Sequence, residues 1–347
     1  MAITSKTIRY GIVGLGRSGW DIHVKDLRQR DDAEVAAVVD PVLERREEAT
    51  REFGCPVYER LSAMLKETDL EVTVIATPSM RHATDTIEAL RAGKHVVVEK
   101  PMAMNVREAD RMIAASQHAD QQLFIHHNYR FKRAVTHLLE VAQSGLIGRL
   151  YHVRSYQGNF VRRNDWQTLS KNGCGVLNNT CPHEIDILLQ LMGGPVVDVM
   201  GDLQQIASAG DVEDHVKAFL RASNGCTADM EITTSQDVAT QIPRWILCGS
   251  YGTLTSDGGE SVIRWFDPKE ASPIDVVEGA AANRVYENDD RLPWQEKTVK
   301  TQGPDIGNFY DNVTAVLTRG EPMVVTPEAA REVVRVTAEI RKGTKFG

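Results

Sequence analysis

Apolar residues in the first third of the chain form short continuous runs, separated by stretches whose apolar positions recur every three or four residues. Continuous apolar runs are typical of strands buried on both faces, and the periodic stretches are typical of helices that cover them. The runs lie at residues 8–13, 34–39, 72–76, 95–98 and 123–125, and the clearest helical stretches at 42–53 and 80–91. This alternation predicts an α/β unit with a doubly wound parallel sheet.

The pattern changes beyond residue 127. A helical stretch at 132–144 is followed by segments in which apolar and polar residues alternate, which indicates strands with one solvated face. These segments lie at residues 151–156, 196–200, 215–220, 227–232 and 245–248. We therefore expect a Rossmann domain over 1–127 and an α+β domain with a large, mostly antiparallel, open-faced sheet over 128–347. C-terminal helices are predicted at 305–319 and 328–341.

Three glycines follow the first predicted strand at G-x-G-x-x-G spacing: Gly14, Gly16 and Gly19. In a strand-to-helix turn, the first makes the tight turn, the second lets a pyrophosphate approach the backbone and the third lets helix pack on strand. The free N–H groups at the start of the helix attract phosphates. The pattern therefore predicts a dinucleotide site at this turn, which also contains Leu15, Arg17 and Ser18.

An acidic residue follows the second predicted strand. Asp40 lies where a carboxylate can accept hydrogen bonds from the ribose hydroxyls of an adenosine and would repel a 2′-phosphate. We therefore predict NAD as the cofactor. Arg45 and Arg46 lie just downstream and could bind a 2′-phosphate, so NADP is the less favoured alternative.

Composition excludes several classes of partner. The formal net charge of −8 argues against nucleic acid, whose binding needs a basic surface. No apolar run reaches the roughly 20 residues of a membrane span, and the first residues lack the apolar core of a signal peptide. The five cysteines are scattered, without a C-x-x-C pair, so they indicate neither a disulfide framework nor a zinc ribbon. We expect a cytoplasmic protein with no metal and a small-molecule substrate.

Lys100 follows the strand at 95–98, and ligands of open parallel sheets bind beyond the carboxyl ends of the strands. A desolvated lysine beside a positively charged nicotinamide ring gives up its proton readily and can act in proton transfer. A solvated loop lysine is the alternative interpretation.

A second candidate group surrounds a predicted helix start at Pro182. His183 lies in the first turn, off the apolar stripe, where the helix dipole disfavours an imidazolium ion and leaves a neutral base. Asn179, in the preceding loop, could hydrogen-bond a substrate hydroxyl. The alternative is a histidine that only caps a packed helix.

These motifs resemble the Gfo/Idh/MocA oxidoreductases over nearly the whole chain. The matching segments are Gly14-x-Gly16-x-x-Gly19 with Asp40-Pro41, Thr77-Pro78-x-x-x-His82, Glu99-Lys100-Pro101, Gly173-x-Gly175-x-Leu177 and His183-x-Ile185-Asp186.

The resemblance implies a nicotinamide-dependent enzyme that oxidises or reduces a carbon of a sugar, inositol or related polyol. It also implies a C-terminal sheet that makes homodimers or homotetramers. Lys100 would orient substrate and shuttle protons, with His183 as its acid/base partner. The cofactor-side residues would be Thr77, Pro78, His82, Glu99 and Lys100.

One departure from the family pattern concerns the residues before His183. The family commonly has D-x-G-x-H, whereas this chain has Asn179-Thr180-Cys181-Pro182-His183. Asparagine cannot take up a proton as aspartate can, so a mechanism that needs this carboxylate is in doubt. Cysteine lacks the conformational freedom of glycine, and we interpret Cys181 as structural rather than catalytic.

Residues near the expected interdomain cleft are candidates for substrate binding. Tyr129 and Arg130 follow the last strand of the first unit, and Arg163 and Trp166 precede the His183 motif. A tryptophan face with nearby hydrogen-bond donors suits a polyhydroxylated ring. A surface loop with one buried tryptophan is the alternative.

The sequence thus predicts an NAD-dependent dehydrogenase acting on a secondary hydroxyl of a sugar, sugar derivative or cyclitol. His183 would remove the hydroxyl proton, Lys100 would polarise that oxygen, and Asn179 would position a neighbouring hydroxyl. Two alternatives stay open: redox-neutral glycoside cleavage with tightly bound NAD, and a regulator that senses NAD or sugar without catalysis.

Overall fold

The first apolar run forms the central strand of a parallel sheet. The computed structural model describes residues 7–237, 242–276, 278–280, 284, 291–303, 305 and 307–347. Within them, this sheet has the strand order β3-β2-β1-β4-β5-β6. The strands are β1 (Ile8–Val13), β2 (Ala33–Val39), β3 (Val57–Tyr58), β4 (Val72–Ile75), β5 (His95–Val98) and β6 (Leu123–Ile125). Every pairing between them is parallel.

Helices cover both faces of this sheet. Tyr10 and Ile12 of β1 are fully buried, and Val13 packs with a cluster on the opposite face. The helices are α1 (Ser18–Val24, continued by Lys25–Leu27), α2 (Leu43–Phe53), α3 (Leu61–Glu67), α4 (His82–Arg91) and α5 (Val106–Ala119). The doubly wound parallel sheet is therefore confirmed. The structure adds that α1 begins with π-helical hydrogen bonding, which no sequence pattern had indicated.

The remaining strands form a second sheet, with order β14-β13-β12-β11-β7-β10-β9-β8 in the described residues. Its pairings are antiparallel apart from the parallel pair β7–β10. The strands are β7 (Leu150–Gly158), β8 (Val196–Gln204), β9 (His215–Ala222), β10 (Thr227–Thr233), β11 (Trp245–Gly249), β12 (Gly252–Ser256), β13 (Glu260–Trp265) and β14 (Gln295–Lys300). The mostly antiparallel second sheet is confirmed.

Helices pack on one face of the second sheet. They are α6 (Arg133–Ser144), α7 (Val176–Asn179), α8 (Cys181–Met192) and α10 (Pro327–Arg341). The opposite face carries charged pairs across neighbouring strands. Arg154 of β7 faces Asp229 of β10, and Lys217 of β9 faces Glu231 of β10. This face is open, as the alternating pattern predicted.

The C-terminal helices complete the cores of both sheets. Phe309 and Tyr310 of α9 (Phe309–Arg319) pack against Tyr10 of β1. Ala330 and Val334 of α10 pack on the other face of the first sheet. The predicted division into 1–127 and 128–347 is a division along the chain. The cores do not follow it completely, because α9, from the second segment, packs in the core of the first sheet.

The two C-terminal helices also differ slightly from their predicted bounds. Helix α9 begins at Phe309 rather than at residue 305, because Asn308 caps it and accepts a hydrogen bond from the N–H of Tyr310. Residue 306 of the predicted range lies outside the described residues. In the part of the chain that is described, no helix is long and apolar enough to cross a bilayer.

Candidate active site

The glycine turn after β1 has the geometry that a bound pyrophosphate needs. Gly14 has a φ of 93°, and a Cβ there would lie 2.6 Å from the carbonyl oxygen of Ala76. A Cβ on Gly19 would overlap the carbonyl oxygen of Gly14. A Cβ on Gly16 would instead point into open space, with no atom within 4 Å. The turn therefore leaves room for a ligand beside Gly16, and its residues fit a dinucleotide. Of the other predicted turn residues, Leu15 is buried and Arg17 is exposed, with Ser18 between them in exposure.

Asp40 follows β2 and holds the glycine turn in place. One carboxylate oxygen accepts the N–H of Leu15 at 2.8 Å, and the other accepts the N–H of Val42 at 2.9 Å. Arg45 also contacts the carboxylate, at 3.3 Å, and Arg46 donates to the backbone carbonyl of Asp40 at 2.6 Å. Arg45 and Arg46, the two arginines that could bind a 2′-phosphate, thus both contact Asp40.

The loop after β4 is joined to the Lys100-Pro101 turn by His82. Its imidazole is buried, with Nδ1 2.8 Å from the carbonyl of Pro101 and Nε2 2.9 Å from that of Thr77. Burial lowers the pKa of His82, so the neutral ring donates to one of these two carbonyls and only approaches the other. The Thr77 hydroxyl donates to Asp85 at 2.9 Å, whereas Pro78 is exposed at the loop surface. His82 therefore braces two loops that border the cleft.

Glu99 lies at the centre of a buried hydrogen-bond network. Its carboxylate is 2.9 Å from Nδ1 of His126 and 3.1 Å from Nε2 of His23, and it accepts the N–H of Lys100. His23 also bonds the hydroxyl of Tyr310 at 2.7 Å. These histidines hold the pKa of Glu99 well below its usual range despite burial, while burial lowers the pKa of His23.

This network is also a group of potential metal ligands, since atoms of His23, Glu99 and His126 lie within 4.8 Å of one another. The contacts are those of hydrogen bonds, in which each of these atoms already has a protein partner. The network joins α1, β5, β6 and α9 beneath the carboxyl ends of the strands.

Lys100 and Asn179 meet across the two sheets. Pro101 follows a cis peptide bond, and the Lys100 ammonium donates to the backbone carbonyl of Asn179 at 2.7 Å. The other ammonium hydrogens remain available to a substrate oxygen, because a lysine has three donors. The structure thus brings together two of the three predicted catalytic residues.

The segment that carries Asn179 is shaped by a buried carboxylate. Gly175 has a φ of 109°, and a Cβ there would overlap the carboxylate of Glu213. Glu213 in turn accepts the N–H of Leu177, at 2.9 Å, in the first turn of α7. Cys181 is fully buried next to this helix, and burial raises the pKa of its thiol well above the usual range. A protonated, inaccessible thiol agrees with the structural interpretation of Cys181.

His183 lies in the first turn of α8 and faces Lys100. Burial lowers the pKa of His183 well below its usual range, and the positive charge of Lys100 adds to this effect. The imidazole is therefore neutral at neutral pH and can accept a proton. Its ring stacks on Tyr129, with ring centroids 3.9 Å apart and an angle of 10° between the planes.

Three buried polar atoms around this point have no protein partner within the described residues. They are Nδ2 of Asn179, Nδ1 of His183 and Nδ1 of His127. Unpaired buried polar atoms are costly, and such atoms in a native site indicate a missing ligand or water. The ring of His127 lies edge-on to that of His183, with centroids 6.3 Å apart. The unpaired atoms therefore mark the place where a polar ligand would bind.

Arg130 was predicted to bind substrate, but its contacts in the structure are structural. Its guanidinium is buried and forms a two-pronged ion pair with Asp186 of α8, at 2.8 and 2.6 Å. A third bond, of 2.8 Å, goes to the carbonyl of Val324. With these contacts Arg130 cross-links the segment after β6 to α8, and we leave it out of the substrate contacts.

Arg163 and Trp166 lie on the loop that leads to Gly173. Arg163 is paired with Asp165 at 2.8 Å and contacts Gln167 at 2.5 Å. The Trp166 side chain is 51% exposed, so it is not the buried surface-loop tryptophan of the alternative interpretation. No described contact joins either residue to Lys100 or His183.

Sequence reasoning missed His126 and His127, which follow β6. The signal was available, because His126 and His127 follow β6 directly, just as Glu99 and Lys100 follow β5. It also missed Lys132, whose ammonium lies 3.2 Å from the centre of the Tyr129 ring. That contact depends on the turn at Asn128–Phe131 and has no sequence signature.

The chain is similar in sequence to known dehydrogenases. The chain is 32% identical over 226 residues to 1-carboxy-3-chloro-3,4-dihydroxycyclohexa-1,5-diene dehydrogenase of Comamonas testosteroni, covering 64% of this chain and 57% of that protein. It is 30% identical over 224 residues to myo-inositol 2-dehydrogenase of Thermotoga maritima, covering 63% and 66% of the two chains. The matched segments thus span less than two thirds of each of these relatives.

A solved structure extends the likeness to the whole fold. An NAD-binding protein from Listeria innocua superimposes with a TM-score of 0.83 at 27% identity, covering 98% of both chains. Residues 8–127 match the model of the oxidoreductase family with an NAD-binding Rossmann fold, and residues 135–255 match the Gfo/Idh/MocA C-terminal domain. The chain therefore belongs to the Gfo/Idh/MocA family.

Proposed function

We propose that this protein is an NAD-dependent dehydrogenase that acts on a secondary hydroxyl of a sugar, sugar derivative or cyclitol. One observation carries the proposal. The ammonium of Lys100, the unpaired amide of Asn179 and the neutral imidazole of His183 converge at the carboxyl edge of the dinucleotide-binding sheet. Together they provide a positive charge from Lys100, a hydrogen-bond donor from Asn179 and a base from His183 around one point.

The chemistry follows from these three groups. His183 accepts the hydroxyl proton of the substrate, since its imidazole is neutral and one ring nitrogen is unpaired. Lys100 donates a hydrogen bond to the same oxygen and stabilises the negative charge that develops on it. Asn179 donates its amide N–H to a neighbouring oxygen and fixes the orientation of the substrate. Bound NAD would supply the acceptor for the hydride.

The class of substrate is supported by two relatives. One is named for a dihydroxylated cyclohexadiene and the other for myo-inositol, and both are named dehydrogenases. Tyr129 borders the site through its contact with His183. We place Arg163 and Trp166 at the outer end of the substrate, because they lie on the loop before the Gly173 turn.

NAD is proposed over NADP because Asp40 meets the glycine turn with its carboxylate and engages both nearby arginines. A 2′-phosphate would have to displace Arg45 from Asp40 and would still face the carboxylate. The predicted cofactor contacts are the turn Gly14–Gly19, Asp40, Thr77, Pro78, His82, Glu99 and Lys100. We propose that the buried His82 and Glu99 support the cofactor site through the backbone groups that they hydrogen-bond.

The open face of the second sheet is proposed as the surface for a homodimer or homotetramer. Its ladder of Arg154, Asp229, Lys217 and Glu231 offers both signs of charge, which a second copy could complement in a symmetric contact. Sedimentation velocity would test this: a monomer at micromolar concentration would overturn the proposal.

The test of function is absorbance at 340 nm with NAD and with NADP across a panel of sugars, cyclitols, glycosides and sugar acids. A rise with NAD and one class of polyol is the expected result. Cleavage of a glycoside without added cofactor would instead support the redox-neutral alternative. A flat trace with every compound, from protein shown to bind NAD, would overturn the dehydrogenase proposal.

A further inference from the structure

The ring of Tyr129 has a close neighbour on each face. On one side lies the imidazole of His183, 3.9 Å away and nearly parallel. The ammonium of Lys132 lies 3.2 Å from the ring centre, and since the stacked imidazole already fills one face, this contact falls on the other face. The three side chains form a continuous stack of imidazole, phenol and ammonium. This arrangement is unusual because the outer two groups both carry or can carry positive charge.

Among the described residues, no protein group forms a hydrogen bond that would orient the ring of His183. A catalytic histidine is commonly held by a hydrogen bond from its second ring nitrogen to a carboxylate or carbonyl. Within the described residues, Nδ1 of His183 is buried without a partner and no protein group hydrogen-bonds its other ring nitrogen, so whichever nitrogen accepts the substrate proton, the second one is not held. What restricts the tilt of the imidazole is therefore the flat face of Tyr129.

The position of Tyr129 is itself well determined. It lies in the single helical turn Asn128–Phe131, and the N–H of Lys132 donates to its carbonyl at 3.1 Å. The next residue, Arg130, is tied by its buried ion pair to Asp186, which lies one turn beyond His183 on α8. The segment that carries Tyr129 and the helix that carries His183 are therefore cross-linked at the point where the rings stack.

We propose that Lys132 and Tyr129 form a clamp that orients the imidazole of His183, in place of a hydrogen-bonded carboxylate. The inference rests on the proposed role of His183 as the base. Lys132 does not touch the reacting groups, so it is a positioning residue. Its ammonium holds the Tyr129 ring by a cation–π contact and so fixes the surface against which His183 packs.

The clamp also has an electrostatic consequence. An ammonium on the far face draws the π electrons of the ring away from His183, which makes the near face a poorer partner for an imidazolium ion. Of the titratable groups near His183, the positive charge of Lys100, and of His127 and His126 when they are protonated, disfavours its protonation, whereas Glu99 favours it. Lys132 acts in the same direction as Lys100, from the opposite side of the stack.

The test is a titration of the His183 ring by NMR in protein with labelled histidine, in the Lys132→Met variant and in Lys132→Arg. The methionine variant keeps the length of the side chain and removes the charge. We expect the pKa of His183 to rise by roughly half a unit in Lys132→Met and to return to the native value in Lys132→Arg. Lys269→Met, at an exposed position remote in sequence, is the matched control.

Turnover provides the second measurement. Lys132→Met should lower kcat about tenfold with little change in KM, because a misoriented base costs rate rather than binding. Tyr129→Leu, which removes the stacking face, should lower kcat further. An unchanged His183 titration together with unchanged kcat in Lys132→Met would overturn the clamp.

The two measurements separate this inference from the proposed function. If no tested compound is turned over, the NMR titration still decides whether Lys132 acts on His183. If Lys132→Met fails to fold, Lys132→Gln and the temperature-dependent line shapes of His183 in Tyr129→Phe and Tyr129→Leu provide the same comparison. Equal His183 mobility in the phenylalanine and leucine variants would contradict the clamp.

Discussion

The ammonium of Lys100 donates a 2.7 Å hydrogen bond to the backbone carbonyl of Asn179. One residue follows a strand of the parallel sheet and the other ends a short helix that packs on the antiparallel sheet. This bond therefore closes the cleft between the two sheets at the point where the proposed chemistry occurs. It uses a backbone oxygen, so the side chain of Asn179 stays free to meet a substrate.

Removal of the imidazole should strongly reduce turnover and leave cofactor binding intact. In His183→Ala we expect kcat/KM to fall by about 10²–10⁴-fold, the usual contribution of a general base. The Kd for NAD, measured by calorimetry, should change less than twofold, because the glycine turn lies on another element. The exposed His118 provides the control His118→Ala. An equal loss of NAD affinity in His183→Ala would remove His183 from its assigned role.

A carboxylate in place of the Asn179 amide should change the pH dependence. In Asn179→Asp, a negative charge near His183 favours its protonated form and raises its pKa. The acid limb of the profile of kcat/KM should then move to higher pH, by about one unit. Asn179→Ala removes the donor without adding charge and should raise KM while leaving the acid limb in place. Identical profiles for the native protein and Asn179→Asp would contradict the proximity of these groups.

The glycine turn offers two substitutions with opposite consequences. In Gly16→Ala the new methyl group meets no protein atom, so thermal stability should be unchanged while it fills the space left for a phosphate. We expect NAD affinity to fall at least about tenfold, a cost of about 1.4 kcal/mol. In Gly19→Ala the methyl group overlaps the carbonyl of Gly14, so stability and binding should both fall.

The control for this pair is Gly279→Ala, another position where a Cβ meets nothing and φ is not in the left-handed region. It should keep native stability and native NAD affinity in the same calorimetric and thermal-unfolding assays. Native NAD affinity in Gly16→Ala would show that the open space beside Gly16 is not the phosphate site.

Arg130 should prove essential for stability rather than for substrate binding. In Arg130→Met the carboxylate of Asp186 is left buried without its partner, a situation that costs about 3–5 kcal/mol. We expect a loss of that size in the free energy of unfolding, measured in urea. The double variant Arg130→Met, Asp186→Leu should recover part of it. Native stability with a raised KM would instead return Arg130 to the substrate contacts.

Acidification should destabilise the protein through its buried histidines. Burial lowers the pKa of His23, His82, His127 and His183, so the native state resists protonation while the unfolded chain binds protons near pH 6.5. Stability is therefore fully present above about pH 6.5 and falls as the pH drops below it, by up to about 1.4 kcal/mol per pH unit for each histidine.

Urea unfolding at pH 7.5 and at pH 5.5 measures this loss. The lowered pKa of Glu99 affects stability only below its unfolded value near 4.5, outside this interval. His82→Gln should reduce the pH dependence, whereas exposed His118→Gln should not. A stability that is independent of pH between these values would contradict neutral, buried histidines in the native state.

Much of the fold could be predicted from the sequence, because strands, helices and turns depend on residues that are neighbours along the chain. The apolar runs specified the strands β1, β4 and β5 to within a residue, and the glycine spacing specified the turn at Gly14. Lys100 was found because any residue directly after a parallel strand lies at the ligand-binding edge. These inferences need only the periodicity of strands and helices.

The structure alone decided how the candidate side chains are used. Arg130 and Tyr129 are adjacent in sequence and were both predicted to bind substrate. In the structure Arg130 forms an ion pair with Asp186, whereas Tyr129 stacks on His183. Likewise α9 follows the second sheet in the chain yet packs on Tyr10 in the first. Local pattern determines which residues form strands, helices and turns, whereas partners distant in sequence are selected by packing, because burial leaves each charge or ring only the neighbours that the fold supplies.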